Sequence, residues 1–129
     1  MKAPVGLGAI IGSAMCLIGL SFATPPAPAM VEQGRVIYEQ RCLDCHGHEG
    51  RGDGTRAISL SPRPGNLVSA HTSAKSDQEL LKIIANGRPR TAMSAYKGHL
   101  SEDQQQAVLA YIRSLVKFTG STTPPPPAP

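Results

Sequence analysis

Residues 42–46 read Cys-Leu-Asp-Cys-His, so two thiols stand three positions apart with an imidazole directly after the second. This spacing is the covalent attachment signature of c-type haem. The thiols of Cys42 and Cys45 can each bond one vinyl group of a porphyrin, and the imidazole of His46 then lies beneath the iron as its proximal ligand. The spacing is tight because all three side chains must reach one rigid ring. The pattern predicts one covalently bound haem c.

Two other kinds of site use a Cys-x-x-Cys pair. A redox dithiol is expected within a βαβ pattern, and the sequence shows none around these cysteines. A structural zinc site needs four ligands, normally with a second close pair. The other cysteine, Cys16, lies in an apolar leader, and the remaining histidines, His48, His71 and His99, are single and widely spaced. The number of available ligands therefore favours haem over both alternatives.

With His46 on one face of the iron, the other face takes a second ligand or stays open. Met93 is the only methionine between Met30 and the C terminus, and it lies in a loop between two predicted helices. Methionine opposite histidine is the established ligand pair of electron-transfer haems, so Met93 is the predicted distal ligand. The alternatives are a methionine that fills a gap in the core and ligation by His71 or His99.

The two ends of the chain differ in composition from the middle. Residues 1–23 carry one lysine, an apolar run and small residues, as in a secretory signal peptide. The alternative is an uncleaved membrane anchor, since the run approaches the roughly 20 residues that span a bilayer. Residues 24–30 are a Pro/Ala-rich spacer, residues 119–129 a Pro-rich tail expected to be disordered, and residues 31–118 one domain. We expect a periplasmic protein, either soluble or tethered to the membrane by its N-terminal segment.

Apolar periodicity predicts a first helix over residues 30–41. Val31, Gly34, Ile37 and Tyr38 share one face of this helix. A glycine inside a helix costs about 1 kcal/mol relative to alanine. We therefore expect a second helix to cross closely at Gly34; a merely tolerated glycine is the alternative.

Two capping boxes predict two further helices. Ser76 with Glu79 begins one that ends at Gly87, and Ser101 with Gln104 begins the last. The helices make the expected domain all-α. Residues 47–54 contain too much glycine for regular structure, and we expect them to wrap flexibly around one edge of the haem.

The segment 58–67 contains Pro62 and Pro64, so an extended path with turns is expected. A proximal histidine needs a hydrogen-bond acceptor for its second ring nitrogen. The carbonyl oxygen of Pro62 is the candidate for His46; a plain surface turn is the alternative.

These features together resemble the class I cytochrome c family, specifically its small bacterial single-haem members. The resemblance covers residues 31–117 and is carried by the first helix, residues 42–46, Pro62, the Met93 loop and Tyr111. It implies the class I cytochrome c fold, with N- and C-terminal helices that cross through Gly34 and Tyr38 against Val108 and Tyr111. It also implies a one-electron carrier rather than an enzyme.

The chain departs from this family at two points. Ser94 stands where many relatives have a proline after the ligand methionine, and the chain contains no tryptophan. A family-style tryptophan contact to a haem propionate is therefore absent. Arg63 and Asn66 are the propionate partners that we expect in its place.

The charge pattern bears on partners. A net charge of +4 without a basic stripe excludes nucleic acid as the expected ligand. Redox partner proteins are expected, with the donor and acceptor left open. Arg88, Arg90 and Lys97 flank Met93 and can steer an acidic partner, or they are ordinary solubilising charges. Two alternative functions stay open: a haem-bearing subunit of a membrane respiratory complex, and a haem enzyme or gas binder with an open iron site.

Overall fold

The computed structural model describes residues 26–116. The predicted signal peptide or anchor, the start of the predicted spacer and the predicted Pro-rich tail lie outside these residues. The described part holds five α-helices, one 3-10 turn and no β-strand, which confirms the all-α prediction. The elements are α1 Pro28–Arg41, α2 Leu43–His46, the 3-10 turn Ala57–Ser59, α3 Ala70–Ser73, α4 Asp77–Asn86 and α5 Glu102–Leu115. Within residues 26–116, no helix has the length and apolar character needed to cross a bilayer.

The two long C-terminal helices begin as the capping boxes predict. The Ser76 hydroxyl accepts from the Glu79 amide while the Glu79 carboxylate accepts from the Ser76 amide, and Ser101 and Gln104 do the same at α5. Such caps satisfy amide groups that have no partner inside the helix. Helix α4 ends at Gly87, whose φ of +67° suits glycine. The short helix α3 was not predicted, because Ser69 caps it alone, without the reciprocal side chain of a capping box.

Helices α1 and α5 cross at Gly34. A Cβ atom there would overlap the Ala107 carbonyl oxygen and lie 3.0 Å from the Cβ of Tyr111. The rings of Tyr38 and Tyr111 pack beside this point, with centroids 5.1 Å apart and planes tilted by 58°. The predicted crossing is confirmed, with one correction: Ala107, rather than Val108, faces the glycine.

The core lies between α1, α4 and α5. Its buried members are Ile37, Tyr38, Leu80, Ile84, Leu100, Ala107, Val108, Leu109 and Ile112. Six of these, from α4, from α5 and from the loop between them, also line a cavity, namely Leu80, Ile84, Leu100, Val108, Leu109 and Ile112. The core therefore continues as an apolar wall around an internal space, and that wall would face water unless a bulky apolar group occupied it.

Candidate functional site

A cavity of about 760 Å³ brings the predicted ligands together. Cys42, Cys45, His46 and Met93 all line it. Pockets for cofactors and other small molecules usually enclose roughly 300–1,000 Å³. The residues therefore share one space of suitable size, although Met93 is far from the cysteines along the chain.

The cavity wall suits a group that is apolar in its body and anionic at its edge. Its apolar side chains come from several elements and include Leu60, Leu67, Leu80, Ile83, Ile84, Leu100, Val108, Leu109 and Ile112. The wall also contains six cationic residues, Arg41, Arg56, Arg63, Lys75, Arg88 and Arg90, and no aspartate or glutamate. A porphyrin with two propionates has this division of polarity, so the residues fit haem.

The attachment motif lies where α1 gives way to α2. The amides of Cys45 and His46 both donate to the Cys42 carbonyl oxygen, at 3.2 and 2.9 Å. This single tight turn carries both thiols and the imidazole to the cavity. Burial, with a smaller contribution from the neighbouring Cys45, raises the pKa of the Cys42 thiol to about 11. A redox dithiol instead needs a lowered pKa, so this environment does not favour that alternative.

The structure likewise offers little to the zinc alternative. Among residues 26–116, no three or more His, Cys, Asp and Glu side chains gather where they could hold a metal ion. A structural zinc site needs four such ligands. The two cysteines and His46 thus lack the further ligands that zinc would require in this part of the chain.

His46 is oriented by a backbone carbonyl, but not by the predicted one. Its Nδ1 lies 3.1 Å from the carbonyl oxygen of Gly65, which can only accept, so Nδ1–H donates. The prediction of Pro62 as acceptor was therefore wrong. Burial lowers the pKa of His46, and the bond to Gly65 partly opposes this. The neutral imidazole is favoured, with its other nitrogen, Nε2, left for a metal.

Gly52 explains why Gly65 replaces Pro62. The Gly52 amide donates to the His46 carbonyl oxygen at 2.9 Å, which holds the glycine-rich loop against the motif. A Cβ at Gly52 would collide with the Pro64 carbonyl oxygen, so only glycine lets the Pro64–Gly65 peptide come this close. Packing between the glycine-rich loop and the segment 58–67 thus determines which carbonyl accepts from His46.

The glycine-rich loop itself does not wrap the cavity. None of residues 47–54 lines it, contrary to expectation. The loop instead packs behind the motif, where the Gly54 amide donates to the Cys45 carbonyl oxygen at 3.2 Å and Gly47 accepts from the Tyr38 hydroxyl at 2.6 Å. Its role is to support residues 42–46 from outside.

Met93 is half-buried and held by its neighbours' backbone and side chains. Its carbonyl oxygen accepts from the Arg88 amide at 3.1 Å, and its amide donates to the Thr91 hydroxyl at 3.2 Å. That hydroxyl in turn donates to the Arg88 carbonyl oxygen at 2.8 Å. The backbone of Met93 is therefore fixed while its side chain lines the cavity.

The remaining predicted residues divide into two groups. Arg63 and Asn66 line the cavity, as do Arg88, Arg90 and the reserve ligand His71. His48, His99 and Lys97 do not line it. Asn66 also shapes its own loop, because its side-chain oxygen accepts from the Val68 amide at 2.9 Å.

The sequence reasoning missed Arg41, Arg56, Lys75 and Tyr96 as cavity residues. Arg41 ends the predicted first helix, the other three lie between predicted helices, and no local motif marks any of them. Their shared position depends on how separate segments pack together. The one signal in the sequence is the stretch 88–97, which contains arginine and lysine but no aspartate or glutamate.

Comparison with known families gives one match over most of the described chain. The family model "Cytochrome C oxidase, cbb3-type, subunit III" matches residues 29–112. This range contains the attachment motif, the Met93 loop and most of α5.

Individual proteins agree with this match. Cytochrome c55X of Paracoccus denitrificans is 29% identical over 96 residues, covering 74% of this chain and 84% of that protein. Dihydro-heme d1 dehydrogenase of Pseudomonas aeruginosa is 31% identical over 101 residues, covering 76% of this chain but only 19% of that protein. A chain of the reducing HAO-like protein complex of Kuenenia stuttgartiensis superposes with a TM-score of 0.65 at 26% identity, over 78% of this chain and 50% of that chain.

Proposed function

Since this chain belongs to the family of c-type cytochrome domains matched by the cbb3-type subunit III model, we propose that Cys42 and Cys45 attach its haem and that His46 and Met93 ligate the iron. The family carries haem c covalently and transfers electrons. The observation that supports these four residues is their meeting in one cavity of about 760 Å³. When bound, the haem iron alternates between ferrous and ferric states and so stores one electron.

The protein's own residues perform three tasks in this proposal. The Gly65 carbonyl orients His46 and keeps Nε2 free. The bonds from Arg88 and to Thr91 hold the Met93 backbone, so its thioether stays in place in both oxidation states. A fixed ligand geometry reduces the rearrangement that electron transfer requires. The soft thioether and the apolar wall both favour the reduced form.

Replacing Met93 with leucine tests the distal ligand. Leucine keeps the apolar volume but removes the sulfur, so we expect loss of the far-red sulfur-to-iron charge-transfer band of the oxidised protein and ready binding of carbon monoxide by the reduced protein. Met30→Leu is the matched control, because Met30 is 39% exposed at the start of α1. A far-red band that survives in Met93→Leu would exclude this ligand. Absence of the band from the unmodified protein, together with ready carbon monoxide binding, would instead favour the gas-binding or enzymatic alternative.

The cationic residues that line the cavity support the proposal of an acidic redox partner. The side chains of Arg88 and Arg90 line the cavity and make no hydrogen bond or ion pair with other residues in the range 26–116. Two propionates would neutralise only part of the six cationic residues there. The remaining positive potential would attract anionic reactants.

A small anionic oxidant tests this attraction. We expect Arg88→Gln/Arg90→Gln to slow oxidation of the reduced protein by hexacyanoferrate(III) about two- to tenfold at low ionic strength, with the difference vanishing in high salt. Lys82→Gln is the control, since Lys82 is exposed on α4 and does not line the cavity. Equal slowing per charge removed would assign the effect to net charge alone.

We further propose that the protein is exported to the periplasm and is itself a carrier rather than an enzyme. The relative named a dehydrogenase is mostly outside the alignment, because this chain spans 19% of it. The apolar leader supports export. Sequencing the mature N terminus from fractionated cells is expected to give a start near Thr24 in the soluble fraction. An intact Met1 in the membrane fraction would instead favour an anchored subunit of a respiratory complex.

A further inference from the structure

The Tyr96 side chain makes a long-range hydrogen bond beside the cavity. Its hydroxyl donates to the Arg41 carbonyl oxygen at 2.8 Å, although the two residues are 55 positions apart. Tyr96 itself is half-buried and lines the cavity. Within residues 26–116, no other hydrogen bond joins the segment 76–100 directly to the segment 28–66. This bond therefore links the Met93 segment with the attachment segment.

The acceptor is available because α1 ends at Arg41. In an uninterrupted helix the Cys45 amide would donate to the Arg41 carbonyl oxygen. Here it donates to Cys42 instead, at 3.2 Å. The carbonyl just before the first haem cysteine thus needs a donor from elsewhere, and the Tyr96 hydroxyl supplies it.

The donor belongs to the same structural unit as Met93. The Tyr96 amide donates to the Ile84 carbonyl oxygen at 3.1 Å and the Lys97 amide to that of Ala85 at 2.9 Å, so this segment is fixed to α4. The Met93 carbonyl accepts from the amide of Arg88, two residues after the end of α4. The position of Tyr96 is therefore coupled to that of Met93 through a short, hydrogen-bonded stretch of chain.

We propose that Tyr96 is a positioning residue that fixes the distance between Met93 and residues 42–46, and so keeps the Met93 sulfur in place against competing ligands. The inference rests on the proposed ligand role of Met93. Helix α5 also connects the two segments. Its Arg113 donates to Asp77 of α4, but it meets α1 through apolar packing, which is non-directional. The hydrogen bond adds a directional constraint at the point next to Cys42.

The test is a titration of the oxidised haem-loaded protein with imidazole, followed by loss of the far-red band. Removing the hydroxyl in Tyr96→Phe keeps the ring and its packing. We expect imidazole to bind about five- to tenfold more tightly to this variant, as for the loss of one intramolecular hydrogen bond. An affinity equal to that of the unmodified protein would overturn the proposal.

Tyr38→Phe is the matched control. It also removes a hydroxyl that donates to a backbone carbonyl, that of Gly47 at 2.6 Å, but this bond supports the His46 side of the motif. We expect it to lower the urea midpoint while changing the imidazole affinity by less than about twofold. If both tyrosine variants tighten imidazole binding equally, Tyr96 acts through general stability and the proposal is wrong.

A Met93→Leu background separates this proposal from the proposed function. There, no sulfur remains to be displaced and no far-red band remains to be lost, so imidazole binding is followed by the shift of the Soret band. Adding Tyr96→Phe is expected to change the imidazole affinity by less than about twofold in this background. A full Tyr96→Phe effect in that background would overturn the positioning role. Failure of the ligand assignment has a different signature, because Met93→Leu alone would then leave the imidazole affinity and the far-red band unchanged.

Discussion

Replacing Cys42 and Cys45 together with alanine is expected to abolish covalently bound haem, from one per chain to none. Each thioether holds the cofactor through denaturation, so haem-specific staining of a denaturing gel measures the loss without requiring a folded protein. Alanine removes both sulfurs and leaves the helical turn intact, because alanine is the best helix former. Each single variant retains one thiol and should retain some stained haem.

Cys16→Ala is the control for this experiment. Cys16 is the remaining cysteine of the chain and lies outside the described residues. We expect its haem staining to match that of the unmodified protein. Haem that stays with the Cys42→Ala/Cys45→Ala chain in the denaturing gel would show that the attachment lies elsewhere.

Replacing Gly34 with alanine is expected to destabilise the domain despite improving the helix. Alanine in a helix interior is favoured over glycine by about 1 kcal/mol. The added methyl group, however, would overlap the Ala107 backbone carbonyl, which cannot rotate away as a side chain can. Overpacking of this kind costs about 1–3 kcal/mol or more. The free energy of unfolding should therefore fall, and α1 and α5 should separate slightly.

Urea denaturation of the haem-loaded protein measures this change. Gln33→Ala is the control, because Gln33 is exposed at the neighbouring position of α1 and does not line the cavity. We expect that control to change the free energy of unfolding by less than about 0.5 kcal/mol. A stabilised Gly34→Ala variant would contradict the tight crossing.

The sequence alone predicts those parts of the structure that depend on neighbouring residues. The attachment motif, the capping boxes at Ser76 and Ser101 and the apolar face around Gly34 are each contained within a few turns of chain. Their physical causes, such as an amide needing a cap, act over the same short distance. The fold class followed from these local signals and from the resemblance that they carried together.

The features that could not be predicted depend on packing between distant segments. The carbonyl of Gly65, rather than that of Pro62, accepts the hydrogen bond from His46, because Gly52 of another loop packs directly against the Pro64–Gly65 peptide. The Tyr96 hydroxyl meets Arg41 over 55 positions. In neither case does the residue type indicate its partner. Only the folded path of the chain decides which of several carbonyl groups becomes the acceptor.

The crossing of α1 and α5 also has a consequence for the order of folding. These helices begin and end the described domain, so α1 finds its main packing partner only when the last helix is present. Non-local contacts of this kind form late, because the intervening chain must first be brought together. Until then the wall supplied by Val108, Leu109 and Ile112 is missing. We therefore expect the thiols of Cys42 and Cys45 to be more accessible before the last helix packs against α1 than in the folded domain.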